Sequence, residues 1–190
     1  MKPFLLTAAL GIALWANSGL AADIKPLDPQ PDPESLKPGL AVLYYDQFFR
    51  HIDEMIDWEG YKEGRPGEAL PQLNYSVGTG DVLTSGSDDG VGAKITGLIE
   101  FKKPGSYALA FESNDGVRLE IDGQMILEDP DVHGDRFSEI VVLEVPQAGW
   151  YPLTIRYFER KNTSTLKFYW QEPDFEGGTM PLVPTEAFAH

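Results

Sequence analysis

The chain has 190 residues with 30 Asp and Glu against 15 Lys and Arg, a formal net charge of −15, and no Cys. That balance argues against nucleic acid and anionic lipid headgroups as partners, since both require clustered Lys and Arg; the missing Cys excludes disulfide frameworks, thiolate metal sites and Cys nucleophiles. A hydrophobic content of 42% is enough for one domain with an apolar core.

The chain opens with Lys2, an apolar run over residues 4–15 with Thr7 as its one polar member, and then Asn17, Ser18, Gly19, Leu20 and Ala21. A charged start, a short apolar middle and a small-residue finish make a secretory signal. The run is too short to span a bilayer, which takes about 20 apolar residues. Residues 1–21 are therefore read as a leader cleaved after Ala21, with Ala22 as the next choice. The remaining protein is expected in the periplasm or outside the cell, with no membrane insertion once the leader is gone. An exported chain without Cys suits a bacterial envelope better than a disulfide-rich secretory route. Residues 22–38 carry Pro26, Pro29, Pro31, Pro33 and Pro38 among acidic and polar residues, a composition that predicts an extended, solvated spacer.

From residue 39 to 188 the pattern predicts one all-β domain, an antiparallel sandwich or barrel with at most one or two short helices. Period-two alternation is the strand signal. Tyr107, Leu109 and Phe111 share one face, as do Val117, Leu119 and Ile121, then Leu153, Ile155 and Tyr157, then Leu166, Phe168 and Trp170. Asp122-Gly123 between Ile121 and Gln124 predicts a two-residue hairpin turn, because both positions take positive φ. Residues 51–58 alone look helical. Residues 70–97, with Gly78, Gly80, Gly86, Gly90 and Gly92, predict long surface loops.

Little in this chain points to catalysis. There is no G-x-S-x-G elbow, and only His51, His133 and His190 could act as a base beside a Ser. Thirty carboxylates supply glycosidase candidates without singling out a pair. Hard-cation binding is a more specific possibility, since Ca²⁺ gathers six to eight oxygens from loops. The segment beginning Asp129-Pro130-Asp131 resembles the start of an EF-hand loop, but Ile140 stands where that loop requires a bidentate Glu. Asn114-Asp115-Gly116, between two well-patterned strands, is the second such segment; its plain reading is a polar turn with Gly at positive φ.

Four blocks in fixed order, Gly39-Leu40-Ala41-Val42-Leu43-Tyr44-Tyr45-Asp46, Gly105-Ser106-Tyr107, residues 111–123 with their S-N-D-G-V-R-L-E-I-D-G core, and residues 148–159, resemble a PA14 domain. The resemblance covers residues 39–173 and implies a secreted β module, non-catalytic, whose sugar-binding members hold glycans through a bound Ca²⁺. In those members two adjacent acids joined by a cis peptide hold the ion and a later loop completes the coordination. Residue by residue, this implies Asn114 and Asp115 for the pair and Glu159 for the later loop as metal ligands, with Asn162 as its nearby substitute, and the same loops would contact the sugar. His133, in the loop that follows the Asp122-Gly123 hairpin, lines the sugar site if that loop neighbours Asn114. Asn114 replaces the first acid: it keeps an oxygen but removes a charge that Glu159 is expected to restore. The Asp88-Asp89 pair lacks the R-L-x-I-D-G continuation and is read as a chance match. The partner implied is a glycan or cell-surface polysaccharide; the alternative is a metal-free structural domain that engages an envelope protein. Trp58, Trp150, Tyr151 and Trp170 are candidate aromatic platforms for sugar rings, with Trp170 expected in the core.

Overall fold

A computed structural model describes residues 22–190; the signal expected over residues 1–21 lies outside the described residues. In chain order the elements are β1 (Ala41–Asp46), α1 (Ile52–Glu59), β2 (Arg65–Pro66), β3 (Asn74–Val77), β4 (Val91–Phe101), β5 (Gly105–Asn114) and β6 (Val117–Ile121). They continue with β7 (Gln124–Asp129), β8 (Arg136–Phe137), β9 (Val141–Val145), β10 (Gly149–Glu159), β11 (Ser164–Gln171) and β12 (Phe188–Ala189). Two antiparallel sheets face each other. One has the order β2-β1-β4-β10-β6-β7 with β12 also on β4; the other runs β3-β11-β5-β8 with β9 also on β5.

The alternation predicted from sequence decides which face each strand buries. The four apolar triplets on β5, β6, β10 and β11 all point into the space between the sheets, and none of the twelve side chains is more than 4% exposed. Phe111 and Phe168, paired in register across β5 and β11, stack with centroids 4.4 Å apart and an interplanar angle of 5°. The Asp122-Gly123 turn has φ of 50° and 69°, and Ile121 pairs with Gln124 across it. Trp170 is in the core, as expected.

Two expectations are corrected. The loop reading of residues 70–97 holds for 78–90 but not beyond: β3 precedes that loop, and β4 begins at Val91 and is a central strand, flanked by β1 and β10. Glycine obscured its alternation for a packing reason. A Cβ on Gly92 would lie 2.6 Å from the Phe49 ring, and one on Gly97 would meet the Ala189 carbonyl. Residues 22–38 are a docked strap rather than a solvated spacer. Ile24 is 1% exposed within the core. Leu27 N donates to Trp150 O at 2.8 Å, Trp150 N donates to Gln30 Oε1 at 2.7 Å, and Lys37 and His190 exchange backbone bonds of 2.9 Å. Proline suits such an edge segment because its fixed φ is already extended, while the non-proline residues between supply the N–H groups.

The helix forms one residue later than the residues 51–58 expected. His51 caps it, its Nδ1 accepting from Asp53 N at 3.1 Å. Ile52 and Met55 bury against Tyr45, Phe49 and Phe158. Glu59 at its last turn pairs with Lys94 and Arg156, both at 2.9 Å, fastening the helix to the outer face of the larger sheet.

Candidate functional site

The connection from β5 to β6 is Asn114-Asp115-Gly116, and its first peptide is cis. The backbone of β10 holds it in place. Asp115 N donates to Phe158 O at 3.1 Å, Phe158 N donates to Gly116 O at 3.0 Å, and the Tyr157 hydroxyl donates to Asn114 O at 2.6 Å. Gly116 is required by proximity and not by positive φ, contrary to the turn reading. A Cβ there would lie 2.5 Å from the Phe158 ring and 2.8 Å from Pro130 O.

Asp115 is 3% exposed, and its carboxylate joins three loops. Oδ1 accepts from His133 N at 2.9 Å in the β7–β8 loop, and Oδ2 accepts from Arg160 N at 2.7 Å in the β10–β11 loop. Burial raises its pKa, while the two N–H bonds and the nearby His133 and Arg160 oppose that shift. Asn114 Nδ2 donates to Thr163 Oγ1 at 2.8 Å, leaving the amide oxygen to accept. Between these loops lies an open cavity of ≈ 370 Å³, lined by Asn114, Asp115, His133, Asn162, Thr163 and the β10–β11 residues Arg160 and Lys161. Four of the five sequence-predicted residues thus come together.

Glu159 does not line this cavity. It is 0% exposed; Oε2 accepts from Gly90 N at 3.1 Å, and Oε1 has no partner. Burial, then the charges of Asp89 and Asp115, push its pKa up to about 7. A carboxyl so poised carries only part of a negative charge at neutral pH, so it is a weak substitute for the acid missing at Asn114. The Asp88-Asp89 pair, read as chance, stands at the site. Asp89 Oδ1 accepts from Asn162 N at 2.6 Å and so fixes the loop that carries Asn162. Asn162 itself sits at φ 80°, in the left-handed region that Asn tolerates. His133 places Nδ1 2.9 Å from Gly134 O and Nε2 3.3 Å from Asp129 Oδ2.

The aromatic candidates lie elsewhere. Trp150 and Tyr151 open β10, at the far end of that strand from Glu159, and Trp58 packs edge-on against Phe49 and Tyr61. Sequence reasoning did not single out Arg160, Lys161 or Thr163, and it set Asp89 aside because the pair lacks the R-L-x-I-D-G continuation.

The donor set does not fit a Ca²⁺ cage of six to eight oxygens. The cavity has one carboxylate, both of whose oxygens already accept N–H bonds, and the Glu159 carboxyl turns toward Gly90. Arg160 and Lys161 stand on the same wall. Among the described residues no three His, Asp or Glu side chains gather as metal ligands.

The model of the PA14 domain matches residues 36–183. The chain belongs to the PA14 domain family. Among solved structures, a PA14 domain of the antifreeze protein MpAFP superposes with a TM-score of 0.67 at 16% identity, covering 84% of this chain and 94% of that one. A PA14 sugar-binding domain from an RTX adhesin gives 0.63 at 18%, covering 80% and 98%. An anti-sigma factor domain-containing protein gives 0.64 at 17%, covering 80% of this chain; this PA14 chain spans about half of that protein's length, 48%. At these identities the likeness is one of fold. No curated protein matches the chain in sequence.

Proposed function

We propose that this PA14 protein is an exported, non-catalytic carbohydrate-binding module whose site is the loop-end cavity at Asn114, Asp115, His133 and Asn162. The observation that carries the reading is the Asp115 carboxylate, which ties three loops into one preformed cavity wall beside an amide that is free to accept. Sugar hydroxyls are paired donors and acceptors, and such rigid polar walls recognise them with little ordering cost. The RTX adhesin domain named above, a sugar-binding one, supports the reading by its shared fold. Among the described residues no helix is long and apolar enough to cross a membrane.

The proposed site acts without Ca²⁺, because the charge balance of its walls favours direct hydrogen bonding over a divalent ion. A glycan array probed with the protein in buffer containing either Ca²⁺ or EDTA tests this. Binding that persists in EDTA and vanishes in Asp115→Ala is expected. Binding lost in EDTA overturns the metal-free site, and no binding in either buffer overturns the carbohydrate reading.

A second reading, a protein-interaction domain of the envelope, is favoured by one observation. Phe137, Ile140 and Val142 are 60–63% exposed on and between β8 and β9. Capture of an envelope protein by the wild type, lost in Phe137→Ser but kept in Asp115→Ala, would support it.

A further inference from the structure

The protein has six arginines among 30 carboxylates. Four of them are paired. Arg65 meets Asp46 at 3.4 Å, Arg118 meets Asp53 at 2.7 Å and Glu128 at 2.5 Å, Arg136 meets Asp129, and Arg156 meets Glu59 and Glu120 at 2.9 Å. The guanidinium groups of Arg50 and Arg160 have no carboxylate within 4.0 Å among the described residues, and both residues line one wide, open depression of ≈ 730 Å³. Arg136, Asp131 and Val132 complete its wall. It adjoins the cavity at Asn114 and Asp115, since Val132 and Arg160 line both. Arg160 Nε is buried with no hydrogen-bond partner. Lys161, on the wall of the adjoining cavity, is also without a carboxylate among the described residues; its ammonium lies 5.6 Å from the Phe48 ring centroid.

In so acidic a chain, unpaired guanidinium groups need an explanation. A planar guanidinium matches a carboxylate or sulfate with two parallel bonds, and such charge-assisted bonds are about twice as strong as neutral ones. Arg50, Arg160 and Lys161 face the two cavities with side-chain charges that no carboxylate pairs among the described residues. The carboxylates around them are engaged elsewhere: Asp115 with the His133 and Arg160 amides, Asp89 with the Asn162 amide, Glu54 with the Arg50 amide and Asp129 with Arg136, which leaves Asp131. The overall charge of −15 does not prevent an anion from approaching. At physiological ionic strength fields are screened within about 8 Å, so the nearest charges decide.

We propose that the ligand of this loop end is an acidic glycan, its carboxylate or sulfate gripped by Arg50 and Arg160 while the neighbouring sugar ring occupies the cavity at Asn114 and Asp115. This rests on the carbohydrate reading and adds the substrate class to it. Arg50 reaches the site from the β1–α1 connection, so the acidic group would bridge that connection to the β10–β11 loop.

The test is calorimetric titration of the protein, in EDTA and 0.15 M salt, with three probes of matched length: oligogalacturonate, its fully methyl-esterified form, and a sulfated galactan oligosaccharide. The ester keeps the sugar rings and linkages of the acid but replaces each carboxylate with a neutral methyl ester. Oligogalacturonate or the sulfated oligosaccharide is expected to bind at least about tenfold more tightly than the ester, and which of them does so identifies the anionic group. Arg50→Gln, at an exposed position, and Arg160→Gln are each expected to lose about tenfold of the acidic affinity, the equivalent of roughly 1.4 kcal/mol. Equal binding of all three probes overturns the inference while leaving the carbohydrate reading intact. So does an Arg50→Gln protein of unchanged melting temperature that keeps its full acidic affinity. Failure of all three probes overturns the inference too. The broad glycan array then decides separately whether the module binds sugar at all.

Discussion

Glu159 makes the stability of this PA14 domain depend on pH in a direction opposite to most acidic residues. Its pKa is about 7 in the fold against 4.5 for an ordinary Glu, because burial and the charges of Asp89 and Asp115 disfavour its ionised form. Between those values the native state holds a proton that the unfolded state has released. Stability from this group is therefore fully present below pH 4.5 and is lost as pH rises through 7. The difference of about 2.5 pH units corresponds to roughly 3 kcal/mol at pH 8. Glu159→Gln removes the ionisation but keeps an oxygen to accept from Gly90 N. The variant should match the wild type near pH 4.5 and exceed it by up to roughly 3 kcal/mol at pH 8, a rise in melting temperature on the order of 10 °C. Urea unfolding of both proteins from pH 4.5 to 8.5 measures the difference curve. A flat curve, or a variant less stable than wild type at pH 8, would refute the argument that Glu159 is buried at an electrostatic cost.

Ile24→Ala should cost about 2–5 kcal/mol in denaturant unfolding, because the strap buries this side chain in the core; a free spacer would show no change. Gly116→Ala places a methyl against the Phe158 ring and Pro130 O and should lower stability by about 1–3 kcal/mol, with glycan binding lost even below the melting transition. Asp115→Asn converts one of two acceptor oxygens into a donor facing a backbone N–H. It should cost about 1–3 kcal/mol and speed hydrogen exchange at the amides of His133 and Arg160, which is the direct readout. Phe168→Ala removes the ring stacked on Phe111 and should cost about 3–5 kcal/mol with little effect on the loop end.

The framework of the molecule was legible because strands announce themselves locally. A side chain two positions away shares a face, so Tyr107, Leu109 and Phe111 revealed their burial without knowledge of any partner. The strap was illegible for the converse reason. Its composition matches that of a free linker, and only Ile24, Leu27 and Leu36, three large apolar residues among many polar ones, distinguish it. β4 was obscured by Gly92 and Gly97, whose missing side chains make room for Phe49 and Ala189, residues distant in sequence. The site divided along the same line. The Asn114-Asp115 pair sits in a local motif and could be read directly; the company it keeps could not. Asp89 and Arg160 arrive from loops whose convergence depends on sheet order. Glu159 follows the inward-facing Tyr157 by two positions on β10, so strand periodicity already placed it inward. The resemblance, which assigns roles by motif, placed it at the ion instead.

The docked strap also fixes how the cavity is offered to its surroundings. Leu27 and Gln30 bond to Trp150 at the first turn of β10, while Glu159 ends that strand beside the site loops. Trp150 and Glu159 stand at opposite ends of this 11-residue strand, a span of roughly 30 Å. His190, bonded to Lys37, lies close to the strap as well. Both ends of the described chain therefore gather at one pole and the binding loops occupy the other. Anything attached at either end would sit behind the domain, leaving the cavity pointing outward at the full height of the sandwich, unobstructed by its own attachment.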